Sequence, residues 1–400
     1  MKILVVCQYY YPEPFKVSEL CEGLVNKGYS VTVLTGIPNY PEGEFYKGYG
    51  FFKKSHERIN GVDVIRIPIL PRGRSNVSLI LNYVSFAISG LVYNLLSSKR
   101  FDYVFLYQLS PILMAIPAIT FAKIHRIPLV FYVLDLWPES FIETQHISNQ
   151  IITGAFYKIS KSIYKTASRI AVSSNGFIDL LQKMHIDKRK MVYIPQFASY
   201  CNQECKNDSI EISDPEAFTI IFAGNIGFAQ GLEVVLEAAV ITEQSTPYIK
   251  WILLGEGRAK KSLELQCRSR RIRNVQFLNR VSSNDAEIMI KKADAALLVL
   301  RDSLLYSITL PAKMQTYMAC GVPILCSANG EAARIVIEAR AGLASKAGDA
   351  IALANNAIRL SKTSEYYLGM YRDNARNYFL NHFTKQKHVD AISSLFNVRT

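Results

Sequence analysis

Short apolar runs alternate with longer amphipathic stretches along the first 200 positions. The runs predict strands at 3–6, 31–35, 64–67, 103–107, 129–133, 170–172 and 191–194. The stretches between them have helical periodicity, as at 17–27 and 151–167. Such alternation is typical of a parallel sheet with helices on both faces.

The same pattern restarts after a polar segment. Residues 198–218 lack apolar periodicity and contain Pro215, whereas strand-like runs follow at 219–223, 251–254, 275–278, 295–299 and 323–326. The chain therefore predicts two doubly wound domains, at 1–200 and 217–375, with a linker at 201–216. A last helix over about 365–396 is expected, and residues 376–400 are assigned to a segment that braces both domains.

Net charge and cysteine content limit the expected binding partners and cellular compartment. The net charge of the chain is +13, and residues 1–200 contribute +9 of it, which suits an anionic membrane better than nucleic acid because motifs of nucleic-acid binding are absent from the sequence. The pairs Cys201/Cys205 and Cys320/Cys326 lack further ligands at zinc spacing, so no metal is expected. Scattered thiols and a strand at the N-terminus without a signal peptide favour a reducing cytosol.

One uncharged stretch raises the question of whether the chain contacts a membrane. Residues 75–98 carry no charge, but asparagine and serine recur at helical spacing, which favours an amphipathic helix over a spanning one. A core-facing crossover helix and a helix partly immersed in anionic lipid remain equal alternatives. The flanking basic residues are Arg66, Arg72, Arg74, Lys99 and Arg100.

The second domain carries phosphate-binding signals at predicted strand ends. Two glycine-rich turns follow successive strands, one with Gly224, Asn225 and Gly227 and the next with Glu256 and Arg258. Glycines before a helix let backbone N–H groups and the helix dipole meet a diphosphate.

Two further charged residues follow later strands of that domain. Lys313 lies in the first turn of a helix opened by Pro311, where a cation opposes the dipole unless an anion binds; this favours a phosphate ligand over a solvated lysine. Glu331 could hold ribose or sugar hydroxyls, or simply favour the start of a helix.

The first domain has no glycine-rich dinucleotide fingerprint after its first strand. Tyr9–Tyr11 and Pro-Glu-Pro there predict a wall for a sugar or lipid acceptor, with tyrosines packed at the domain rim as an equal alternative. Asp135 and Trp137 end a later strand. There Asp135 either binds an acceptor hydroxyl or acts as a base, with capping of the next helix as an equal alternative.

These motifs together resemble the retaining glycosyltransferases of family 4, and within them the bacterial O-antigen and capsule subgroup that includes N-acetyl-L-fucosaminyltransferases. The resemblance rests on residues 8–20, 31–52, 106–118, 132–140, 222–232, 307–324 and 329–331. It implies the GT-B fold, an α/β architecture of two Rossmann-like domains facing across a cleft. It also implies a UDP-sugar donor such as UDP-L-FucNAc, an undecaprenyl-diphosphate-linked acceptor, and an enzyme at the cytoplasmic face of the membrane.

The resemblance completes the set of expected site residues. Lys313 and Asp135 are the expected catalytic residues, and no cofactor is expected. Donor binding is assigned to Gly224, Asn225, Gly227, Glu256, Arg258, Lys313 and Glu331, and acceptor binding to Tyr10, Glu13, Lys16, Asn39, Gln108 and Trp137.

The sequence also departs from the family. Two customary glutamates are replaced by Ile308 and Thr316, and Asn225 and Gln230 stand where the family tends to have Arg and Lys. The missing glutamates leave a non-catalytic scaffold of a polysaccharide assembly complex as an alternative. A sugar-nucleotide 2-epimerase, which shares the two-Rossmann plan and the donor pocket, is a second alternative.

Overall fold

The computed structural model describes residues 1–73, 75–145, 147–198 and 216–396. It separates into two compact units, one formed by 1–194 with 388–400 and the other by 195–387. The sequence-based division differs in placing its boundaries at 200 and 375. Nearly all of the predicted linker, with Cys201 and Cys205, lies outside the described residues, as does Arg74.

The first unit is built on an eight-stranded sheet in the order β3-β4-β2-β1-β5-β6-β7-β8, parallel except for β3. Its strands are β1 (Lys2–Val6), β2 (Ser30–Gly36), β3 (His56–Ile59), β4 (Val62–Ile67), β5 (Tyr103–Gln108), β6 (Leu129–Val133), β7 (Arg169–Val172) and β8 (Met191–Tyr193). The helices are α1 (Val17–Asn26), α2 (Asn76–Leu96), α3 (Ala115–His125), α4 (Glu139–Gln145), α5 (Gln150–Lys165) and α6 (Gly176–Lys183). The central strands are apolar and buried on both faces, as parallel strands between helices must be.

The second unit contains a six-stranded parallel sheet in the order β11-β10-β9-β12-β13-β14. The strands are β9 (Phe218–Ala223), β10 (Ile249–Leu254), β11 (Val275–Leu278), β12 (Ala295–Val299), β13 (Ile324–Ser327) and β14 (Gly342–Ser345). The helices are α7 (Glu233–Ser245), α8 (Lys260–Ser269), α9 (Ser283–Lys292), α10 (Leu304–Ile308), α11 (Ala312–Cys320), α12 (Glu331–Glu338), α13 (Ala350–Ser361) and α14 (Glu365–His382).

The C-terminal segment is two helices, which corrects the expectation of one. Helix α14 ends at His382, and α15 (Lys385–Ser394) begins after a short break. Residues 388–396 pack within the first unit, where Lys27 and Asp390 form an ion pair at 2.6 Å and the ring of Phe396 meets Tyr103 edge to face.

Each sheet reverses its strand order once, and the point of reversal indicates where a ligand site is expected. The reversal lies between β1 and β5 in the first unit and between β9 and β12 in the second. In open parallel sheets ligands bind outside the carboxyl ends of the strands at such a point.

Candidate functional site

The two predicted glycine turns of the second unit interlock at the carboxyl ends of β9 and β10. A Cβ at Gly255 would lie 1.9 Å from the Gly224 carbonyl oxygen, and one at Gly257 would lie 2.2 Å from the Ile226 carbonyl oxygen. Gly224 and Gly255 have φ of +143° and +144°, a region open to glycine. These glycines therefore serve close packing of the two turns.

Part of the expected phosphate cradle is already occupied by backbone bonds. The N–H of Gly224 donates to the Leu254 carbonyl at 2.9 Å, and that of Gly231 donates to Phe228 at 3.2 Å. Gly224 contributes space instead, since a Cβ there would lie 3.5 Å from Lys313 Nζ. The expectation that Gly224 offers its N–H to a diphosphate is corrected accordingly.

Lys313 lies at the reversal point of this sheet. Its Nζ donates to Gln230 Oε1 at 2.7 Å and stands 3.8 Å from the centre of the Phe222 ring. Burial of the ammonium lowers the pKa of Lys313 to about 7. An anion placed beside Gly224 would favour the charged lysine, so the arrangement can stabilise a developing negative charge.

The remaining donor candidates follow the carboxyl ends of β9, β10 and β13, and most already have protein contacts. Glu256 is exposed and forms an ion pair with Lys260 at 2.8 Å, whereas Arg258 is exposed beside it. The half-buried Glu331 carboxylate pairs with Arg334 at 2.8 Å on the first turn of α12, consistent with a residue that favours a helix start. Asn225 is exposed in the turn after β9, and its side-chain nitrogen lies 2.8 Å from the position of a Cβ at Gly227.

Lys260 is a residue of this site that sequence reasoning missed. It is 8% exposed, and its Nζ donates to the carbonyls of Gly255 and Leu278 and to the side chains of Glu256 and Asn279, at 2.8 to 3.2 Å. The signal that singled out Lys313, a cation in the first turn of a helix, is present here too, but Lys260 shares it with the exposed Lys261 and the sequence does not separate the two. Through these bonds Lys260 holds the second glycine turn against the end of β11.

In the first unit the predicted acceptor residues are largely internal. Tyr10, Glu13, Asn39, Gln108 and Trp137 are buried, whereas Lys16 is half-buried at the start of α1. Since Tyr9 is also buried, the expected tyrosine wall is reduced to the exposed Tyr11. The acceptor roles of the six residues stay predictions.

Glu13 and Asn39 hold the loops that follow β1 and β2. The Glu13 carboxylate accepts N–H bonds from Tyr10, Asn39 and Tyr40 at 3.1, 2.8 and 2.7 Å. Burial raises the pKa of Glu13 to about 7, although these three bonds and Arg66 act in the opposite direction. Asn39 Oδ1 accepts from the backbone N–H of Arg72 at 2.9 Å.

Gln108, Asp135 and Trp137 meet at the carboxyl ends of β5 and β6. Gln108 Nε2 donates to the Asp135 carbonyl and to the Tyr164 hydroxyl, both at 3.0 Å. Trp137 stacks on Phe141 and donates from Nε1 to Ser110 at 2.6 Å. The structure thus gives Gln108 and Trp137 a framework role in shaping this edge.

The half-buried Asp135 carboxyl accepts a backbone hydrogen bond from Ser110, and burial raises its pKa against the effect of that bond. The alternative that Asp135 caps the next helix gains no support from these contacts. A carboxyl at this edge with a raised pKa can accept or orient a hydroxyl proton.

The geometry is matched by comparisons with known proteins. Residues 16–196 match the glycosyl transferase 4-like domain, and residues 206–378 match glycosyl transferases group 1. The chain is a GT4-type glycosyltransferase. Both matched segments together cover most of its length.

Individual relatives agree with this family. The chain is 23% identical over 339 residues to the Escherichia coli (strain K12) protein named as colanic acid biosynthesis glycosyl transferase WcaI, covering 80% of this chain and 82% of WcaI.

Two solved structures share the fold. Sucrose-phosphate synthase from Thermosynechococcus elongatus has a TM-score of 0.77 at 15% identity, over 99% of this chain and 98% of that one. Anabaena HepE in complex with UDP and glucose has a TM-score of 0.69 at 14% identity, over 100% of both. This glycosyltransferase therefore has the GT-B fold.

Proposed function

We propose that this glycosyltransferase moves a sugar from a UDP-linked donor to a lipid-diphosphate-linked sugar during synthesis of a bacterial surface polysaccharide. The observation that carries the proposal is the placement of Lys313 Nζ beside Gly224 at the reversal point of the second sheet. The name of WcaI, which refers to colanic acid, and the UDP bound to HepE support the product class and the donor class.

The donor diphosphate occupies the space next to Gly224 in this proposal. The Lys313 ammonium and the N-terminal dipole of α11 meet the negative charge that develops on the leaving UDP. Because burial makes the cation costly without a partner, its stabilising effect is largest when the diphosphate carries the most charge. The scheme uses no cofactor.

The acceptor is held by the first unit in this proposal. Asp135 orients the attacking hydroxyl at the end of β6, and transfer proceeds with retention of configuration, as the family resemblance implies. An N-acetylated deoxyhexosamine such as L-FucNAc is the proposed sugar, and an O-antigen or capsule intermediate is the proposed acceptor. The enzyme works at the cytoplasmic face of the membrane.

The test is a panel of UDP- and GDP-sugars with a short-chain polyprenyl-diphosphate-linked sugar, analysed by mass spectrometry. A lipid product heavier by one sugar residue, formed from a UDP-sugar, is expected. Parallel reactions without acceptor distinguish the 2-epimerase alternative, which would convert a UDP-N-acetylhexosamine into its epimer. Absence of UDP binding in calorimetry would favour the scaffold alternative and overturn the proposal.

A further inference from the structure

Helix α2 presents its more polar side to the protein. Asn82 and Asn94 are buried, together with Phe86, Ala87 and Gly90. Asn82 donates to the Leu70 carbonyl at 2.6 Å and accepts from Gln8 at 2.7 Å. A helix whose asparagines point inward must carry its apolar residues elsewhere.

The outward side of α2 is an aliphatic stripe. Eight of its side chains are 36 to 80% exposed, namely Val77, Ile80, Leu81, Val84, Ile88, Val92, Leu95 and Leu96. They recur every three to four residues, which places them along one face of a helix. At 1.5 Å per residue the stripe is about 28 Å long. An exposed apolar surface of this extent marks an interaction site.

Contacts on the inner side decide how α2 can meet a membrane. Its length and mean hydropathy of 1.6 would allow it to cross a bilayer, and 28% of its most apolar window is buried. However, Asn94 Nδ2 donates to the Pro117 carbonyl at 2.8 Å and to Thr120 at 2.6 Å, and a Cβ at Gly90 would lie 2.3 Å from the Pro117 ring. Because these contacts hold α2 against α3, only the stripe is available to a partner.

Basic side chains gather at the C-terminal end of the stripe. Lys99 and Arg100 are exposed just after α2, and Arg100 approaches His125, the last residue of α3, at 3.4 Å. A groove of about 300 Å³ beside α3 is lined by Lys123, Lys165 and Lys190. These residues precede or flank the amino ends of parallel strands, which share one edge of the sheet. Arg66, by contrast, is buried and paired with Glu57, so its expected role as a basic flank is wrong.

We propose that the stripe of α2 is immersed in the interfacial layer of an anionic bilayer, with lipid headgroups bound by the basic residues at its C-terminal end. The eight side chains of the stripe are all Val, Ile or Leu, whereas protein interfaces are enriched in Trp, Tyr, Met and Arg. A continuous apolar face beside clustered lysines is instead the pattern of a helix lying in a membrane surface.

Immersion of α2 would also position the first unit relative to a lipid-linked acceptor, and this one step rests on the proposed function. The first residues of α2 follow the carboxyl end of β4, and Asn82 bonds to Gln8 just after β1. An immersed α2 therefore holds the carboxyl edge of the first sheet near the depth at which a lipid-linked diphosphate emerges from the bilayer.

The test is flotation of the full chain with vesicles of phosphatidylcholine, with and without about one third phosphatidylglycerol. Wild type should bind the anionic vesicles, and Ile80→Gln/Ile88→Gln/Val92→Gln should lower partitioning at least about tenfold. The matched control Leu265→Gln/Ile337→Gln/Ile351→Gln alters equally exposed residues of the second unit and should bind like wild type. Lys99→Gln/Lys123→Gln/Lys165→Gln should lower binding to anionic vesicles only.

Several results would overturn the proposal. One is that the stripe variant binds vesicles as strongly as wild type does. Another is that wild type does not bind vesicles and instead forms a dimer without lipid, seen by sedimentation, which the stripe substitutions disrupt. Unchanged anionic binding by the lysine variant would overturn the headgroup contacts. Circular dichroism checks folding, and if the triple variant does not fold, Ile88→Gln should show about a threefold drop. UDP calorimetry without lipid tests the proposed function separately.

Discussion

Lys313 Nζ donates to Gln230 Oε1 at 2.7 Å, joining the first turn of α11 to the loop after β9. The two residues are 83 positions apart and meet because β9 and β12 are neighbours in the sheet. This hydrogen bond holds the half-buried Lys313 ammonium beside Gly224, where the proposed mechanism needs a cation.

Replacing Lys313 tests that assignment. Lys313→Ala should lower turnover by about 10²- to 10³-fold, because the leaving diphosphate loses its nearest cation. The melting temperature should change little, because removing the ammonium relieves a desolvation cost that offsets the lost contacts with Gln230 and Phe222. Lys261→Ala, an exposed lysine on α8, is the control. Turnover near the wild-type value in Lys313→Ala would remove this residue from the mechanism.

Donor affinity should depend on pH through the same group. The pKa of Lys313 is about 7 without ligand, and a bound diphosphate raises it, so binding above pH 7 takes up a proton. The affinity for a UDP-sugar should then fall by up to about tenfold per pH unit above that value. Calorimetry in buffers of different ionisation enthalpy measures the uptake. Lys313→Met should abolish it; an unchanged pH dependence in that variant would assign the proton to another group.

Packing between the glycine turns predicts a strong effect at one position. Gly255→Ala places a Cβ 1.9 Å from the Gly224 carbonyl oxygen in a backbone region that L-residues avoid, and should destabilise by about 2–4 kcal/mol. Gly154→Ala, on α5 with no atom within 4 Å of the added carbon, should be neutral or stabilising by up to about 1 kcal/mol. Thermal melts compare the two. Equal melting temperatures would contradict the packing of the turns.

Lys260, which bonds to the second glycine turn, gives a further prediction. Lys260→Met leaves the Gly255 and Leu278 carbonyls without their Nζ donor, and should cost about 1–3 kcal/mol and weaken UDP binding. Its exposed neighbour offers a matched control, Lys261→Met, which should change neither quantity. If both variants bind UDP like wild type, Lys260 does not position the donor turn.

The alternation of strands and helices could be predicted because parallel strands buried on both faces are apolar throughout. Two strands escaped that signal. His56–Ile59 is a polar edge strand whose residues are exposed or half-buried, and Gly342–Ser345 is short, half-buried and made mostly of small residues. The break between α14 and α15 was missed because apolar residues continue across it.

The candidate site was predictable only in part. Lys313 could be found because a cation in the first turn of a helix is locally unfavourable and so indicates a ligand. Glu13, Asn39 and Gln108 could not be distinguished from acceptor contacts, because a polar residue after a strand serves equally to satisfy buried backbone groups. The structure shows that these side chains bond to backbone groups, and their acceptor roles stay predictions.

The central claim, that the donor binds at the carboxyl edge of the second sheet, is tested most directly by hydrogen exchange of the full chain with and without a UDP-sugar. Exchange should slow in residues 222–232, 254–260 and 309–317. Protection confined to the first unit, or no protection at saturating donor, would contradict the account.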